Sequence, residues 1–129
     1  MNKVEEEAVI IFFTVLSAAM MLAQGSAKEP SSISVIGYVR DSGCIHRFHE
    51  VVKPLLNGCV EACVRGGSPL VILTKDEHVY HPISAEMPDV DVRQRLLPFV
   101  GKLVKVTGHV YSRGGSDAIS LEKIEEVKE

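Results

Sequence analysis

The sequence predicts an all-β domain: an apolar N-terminal helix, then five strands closed into a small Greek-key barrel, with one or two short helices. Three observations lead there. Valines alternate with polar residues over Lys102–Tyr111, as expected of a strand with one face in a core. Short β-branched runs, separated by stretches rich in Gly, Pro and Asp, recur from residue 33 to the end. The helical pattern Val92–Leu97 falls between the third and fourth of these runs.

The 129 residues leave room for one domain. Residues 1–27 stand apart from 28–129. Ala8–Ala23 carries no charge. It is short of the roughly 20 residues that span a bilayer comfortably and close in length to a secretory apolar region. Gly25 and Ala27 have the small-x-small spacing of a cleavage site. The preceding MNKVEEE is acidic where a signal peptide is basic, which keeps a retained anchor through residues 8–23 open as the alternative to a cleaved signal peptide. A buried core helix is the third reading; no polar face patterns the segment. Signal peptide and anchor alike make the domain exported: periplasmic, secreted or membrane-anchored.

Ile33–Arg40 is the first strand, with Ile33, Val35 and Val39 on one face and Gly37 marking a bend or a close backbone approach. Residues 41–69 form a cysteine-containing insertion. In it, Gly58–Val64 is a short helix stopped by Gly66-Gly67. Leu70–Thr74 is continuously apolar and expected to be buried on both faces. His78–Ile83 is its partner, with Pro82 at an edge or an end. Asp91 is the expected N-cap of Val92–Leu97. Lys102–Tyr111 follows, with Gly108 on its apolar face. Ala118–Val127 is the last strand, and the step from Leu121 to Ile124 breaks period two, which predicts a bulge or frayed end. The expected core holds Val35, Val39, Val71, Leu73, Leu97, Val104, Val106, Val110, Ile119 and Leu121.

Five strands with a helix between the third and fourth is the order of the OB-fold. The stretch Leu96–Gly108, with its G-K-x-V-x-V-T-G run, resembles the plug helix and fourth strand of many OB barrels. A second resemblance rests on Asp41-Ser42-Gly43-Cys44, a downstream histidine, Cys59-x3-Cys63, Gly66-Gly67-Ser68 and the V-T-G strand. It is to a group of small exported bacterial proteins of unsettled function, and it implies location and fold. Ile45 stands where that pattern has Gly, which leaves the parts of His46 and His49 open.

The chemistry concentrates in Cys44, Cys59 and Cys63, with His46 and His49 nearby. Cys59 and Cys63 are four apart and share a helix face. Two readings stay open. One is a disulfide from Cys44 to Cys59 or Cys63, stapling an insertion with little core of its own. The other is a three-Cys, one-His site for zinc or copper. In either, the cysteines gather in space, because the barrel holds the ends of the insertion together. His78 and His81 are expected to be structural, on opposite faces of a strand, and His109 to face solvent. Arg93, Arg95, Lys102 and Lys105 are read as a solvated face. Asp41-Ser42 with a histidine lacks the G-x-S-x-G elbow, so no catalytic set is expected. Net charge is −3, there is no Trp, and the chain beyond residue 27 is near neutral. That disfavours an oligonucleotide partner. The functional expectation is a cell-envelope binding or interaction module for a protein or small ligand. The alternative is a metal-handling protein that uses the cysteine loop.

Overall fold

A computed structural model of the chain describes residues 31–49 and 51–129; the expected N-terminal apolar helix lies outside the described residues. The elements are β1 (Ser32–Asp41), α1 (Ser42–Arg47), α2 (Asn57–Arg65), β2 (Leu70–Leu73), β3 (Val79–Ile83), α3 (Arg93–Leu96), a 3-10 turn (Leu97–Phe99), β4 (Leu103–Arg113), β5 (Ser116–Ser120) and β6 (Lys123–Glu126). Strands run in the order β1-β2-β3-β5-β4-β6, and β1 also pairs with β4, which closes the barrel. All pairings are antiparallel except β3 with β5. This is the OB-fold.

β1 serves two neighbours. Ser32–Tyr38 pairs with β4, and Tyr38–Asp41 pairs with β2. The hand-over falls beside Gly37, where a Cβ would meet the Leu73 carbonyl oxygen at 2.7 Å. The close approach expected there is therefore present, and it lets the strand curl. Gly108 on β4 is tighter still: a Cβ would sit 1.7 Å from the Ser120 carbonyl oxygen.

The expected bulge separates β5 from β6. Val110 pairs with Ile119 and Thr107 with Lys123, three residues on one side against four on the other. The extra residue frees the Leu121 N–H to reach the Ile83 carbonyl (2.9 Å), while the Glu122 N–H returns to Thr107 (3.1 Å). β5 and β6 are thus one bulged fifth strand.

The core contains Val35, Val39, Leu70, Ile72, Val104, Val106, Ile119 and Leu121, closed over by Val92 and Leu96 of the α3 segment and by Val60 and Val64 of α2. Two expectations are corrected here. Leu97 is 37% exposed; the helix ends one residue earlier, Leu96 takes the inward position, and Pro98 tightens the next turn. Val110 is only half-buried, because it lies where β4 passes beyond its pairing with β1. The insertion also has more core than expected, since Val60 and Val64 are one helical turn apart and both bury.

β2 is buried on both faces, as its sequence predicts. Ile72 faces the barrel interior. Val71 and Leu73 face outward, under Ile45 of α1, with Val52 and Val79 beside them. Strands two and three usually form part of the ligand face of OB barrels. Here the insertion roofs the outer face of β2.

Arg95 is exposed, as a solvated face requires, and Arg93 is half-buried, but both are tied down by hydrogen bonds. Arg93 donates to the carbonyls of Val64 and Ser68, at the end of α2, and Arg95 donates to the Leu121 carbonyl at the bulge (2.5 Å). They tie the α3 segment to α2 on one side and to the last strand on the other. Asp91 accepts from the Arg93 N–H (2.8 Å) as an N-terminal cap would, although the helix boundary itself falls at Val92.

Candidate metal centre

The site is built where the chain leaves β1. Asp41 ends the strand and caps α1, its Oδ2 accepting from the Cys44 N–H (2.9 Å). The Ser42 N–H donates to the Pro69 carbonyl (2.9 Å), so the two ends of the insertion are joined directly. α1 was not anticipated from the sequence. Its signal is Asp41 three residues before Cys44, a spacing that suits an N-cap, although Asp is equally a turn residue.

Cys44 is the third residue of α1, and Cys59 is the third residue of α2. Both thiols therefore lie in the first turn of a helix. Cys63 sits one turn after Cys59. Burying Val60 and Val64 in the core orients α2 so that the neighbouring stripe, Cys59 and Cys63, faces α1. The three sulfurs all lie within 4.8 Å of one another, and Cys44 and Cys63 are 3.6 Å apart. The thiols are free. They are graded in exposure: Cys44 buried, Cys63 half-buried, Cys59 exposed.

The Asp41 carboxylate governs the inner end of this cluster. It is fully buried, and its Oδ1 has no hydrogen-bond partner among the described residues. Burial, and then hydrogen bonding with Asp41 and Cys63, push the Cys44 thiol up to about 12. A cation at the sulfurs would reverse this, since it stabilises the thiolate directly. Arg40, on the other face of β1, is also buried, at 3% exposure. One end of its guanidinium donates to the carbonyls of Val51 and Val52, which holds the insertion down, while Nε has no partner among the described residues. Arg40, Cys44 and Cys59 line a common cavity of about 200 Å³ with Phe48, Val51 and Leu56.

Neither histidine joins the sulfurs. The group of side chains close enough to hold an ion contains Cys44, Cys59 and Cys63 only, among the described residues. His46 is two residues past Cys44, hence on the opposite side of α1, and its Nδ1 lies 2.6 Å from the Ser42 carbonyl oxygen. His49 lines a different hollow, with Ile45, Val52 and Leu73. Elsewhere His78 pairs with Asp117 across the β3–β5 ladder (2.6 Å), His81 is exposed, and His109 pairs with Glu122 (2.6 Å).

Chemically the arrangement offers three soft donors from two helices, converging at the mouth of an OB barrel. Comparison of the chain with protein-family models, with curated proteins and with solved structures returned no match.

Proposed function

We propose that the protein is an exported OB-fold module that binds a soft metal ion, zinc or copper, through the thiolates of Cys44, Cys59 and Cys63. The observation that carries this reading is the convergence of the three sulfurs within 4.8 Å. Thiolate donors select zinc and Cu(I) over harder ions. The roofing of β2 supports it indirectly, because the face other OB barrels use for ligands is occupied by the chain itself. Export rests on the apolar segment Ala8–Ala23 and the small residues after it.

A second reading has its own observation. Cys44 and Cys63 are close enough, at 3.6 Å, to close to a disulfide of about 2.05 Å with a small shift. The module would then bind a protein or small ligand, with the bridge as a staple and Cys59 left as a thiol.

Anaerobic purification of the native protein, followed by a thiol count and elemental analysis, separates the two. One equivalent of zinc or copper with all three thiols protected is the expected result. A single reactive thiol without metal establishes the staple. Three reactive thiols without metal remove both. Mass spectrometry of the same sample tests export: a new N-terminus near Ser26 or Lys28 is expected, and an intact chain in the membrane fraction establishes the anchor. A soluble intact chain in the cytoplasm overturns export.

A further inference from the structure

We infer that the cysteine group is a three-coordinate Cu(I) site from which the ion can be exchanged, rather than a structural zinc site. The inference rests on the thiolate reading above and goes further in naming the ion and its use.

Coordination number comes first. Structural zinc sites are closed by four protein ligands. Among the described residues only three donors converge, all sulfur. The two histidines that could have completed a tetrahedron lie elsewhere, His46 against the Ser42 carbonyl and His49 in a separate hollow. Three thiolates without a nitrogen or oxygen partner suit Cu(I), a soft d10 ion selected by sulfur.

Charge is the second point. Three thiolates around a monovalent ion leave two negative charges, beside the buried Asp41 carboxylate that touches Cys44, and these need compensation. The N-terminus of α2, at Cys59, supplies part of it. The buried guanidinium of Arg40 supplies a full positive charge on the cavity that Cys44 and Cys59 share. Its backbone partners occupy one end and leave Nε open.

The third point separates exchange from structure. A structural metal replaces a missing core. Here the helices that carry the cysteines have anchors of their own: α2 is held by Val60 and Val64, α1 by Ile45 over Val71 and Leu73, and the ends of the insertion by Ser42 and Pro69. The exposed Cys59 gives an incoming donor its way in. In the exchange, a Cu–S bond to Cys59 breaks as one to the soft donor of an acceptor forms. Cys59 then takes a proton from water. No electron moves, and Cu(I) stays Cu(I).

The test uses the reduced full-length chain under anaerobic conditions. Cu(I) is titrated against a bathocuproine-type competitor and Zn(II) against a chromophoric chelator, and X-ray absorption counts the scatterers on each loaded form. The expected result is one Cu(I) per chain with three sulfur neighbours, and zinc held at least about 100-fold more weakly. Zinc bound as tightly as copper, with a nitrogen or oxygen in its shell, overturns the copper assignment and leaves the metal reading standing. Failure to bind either ion overturns both. Stripping the ion should leave the far-ultraviolet circular dichroism unchanged and the melt cooperative; a chain that unfolds on stripping holds a structural ion, and the exchange half is wrong. Cys59→Ser should weaken Cu(I) binding and speed its transfer to a small thiol acceptor, measured on loaded protein, because the bond that has to break is absent. An unchanged rate removes Cys59 as the exit.

Discussion

Gly108 shows how strictly one position can be dictated. The Ser120 carbonyl lies where any Cβ would be, and that carbonyl belongs to the strand edge just before the bulge, so neither side yields freely. Gly108→Ala should destabilise the domain by about 3 kcal/mol, at the upper end of overpacking costs, read as a fall in the urea midpoint at constant slope. An unchanged midpoint would mean the β4–β5 crossing relaxes. Cys44 makes the second residue-scale prediction. Its thiol is raised in the folded protein from an ordinary value of 9.0 to about 12. Between those values the unfolded chain has released the proton and the folded chain has kept it. The contribution of this thiol to the stability of the metal-free protein is therefore full below pH 9 and is lost as pH rises toward 12. Cys44→Ala should flatten that alkaline limb in melts recorded from pH 8 to 11. A limb unchanged by the substitution would place the loss in other groups.

At the scale of elements, the barrel and its insertion are joined by two small apolar contacts of different kinds. Val60 and Val64 belong to the main core, whereas Ile45 belongs to the separate cluster on the outer face of β2. Ile45→Ala should therefore act locally, costing about 1–3 kcal/mol. Amides of α1 should lose hydrogen-exchange protection while those of β4 keep theirs. Because Cys44 is the preceding residue on the same short helix, the affinity of the thiolate group should fall in parallel. Equal loss of protection in β4 would show that the two clusters form one cooperative unit. The sequence showed the helix that carries Cys59 and Cys63 through its Gly58–Val64 pattern. It hid α1, because six residues are too few for a period to show, and Asp41 reads equally as a cap or a turn residue.

For the molecule as a whole, closure ties distant surface charges together. Asp117 is lowered by the Ser112 hydroxyl and then by His78; Glu129 by Lys53 and then by Tyr38; Asp76 by the Thr74 hydroxyl. Each has a folded value below its ordinary one, 3.8 for the aspartates and 4.5 for the glutamate. Their contribution is thus present above those values and is lost as pH falls through the folded ones. The acid limb of the stability profile should begin near pH 4 and be shallow and salt-sensitive, since all three sit at the surface. Asp117→Asn should remove part of it, and a limb of undiminished slope would assign the acid loss elsewhere.

The sequence by itself determined the barrel. Period two in Lys102–Tyr111, the unbroken apolar run Leu70–Leu73, the glycines at 37 and 108 and the broken period after Leu121 each report burial or close approach along a single strand. Such local signals need no knowledge of the partner. The gathering of the three cysteines was legible too, because any closed barrel brings residues 41 and 70 side by side. Only the tertiary structure decided what those residues meet. It turned His46 and His49 away from the sulfurs, buried Arg40, and set Arg93 and Arg95 on carbonyls 25 to 29 residues away. The physical reason is that a side chain's own period tells which way it points, while its partner is supplied by elements far along the chain, positioned only once the core has closed.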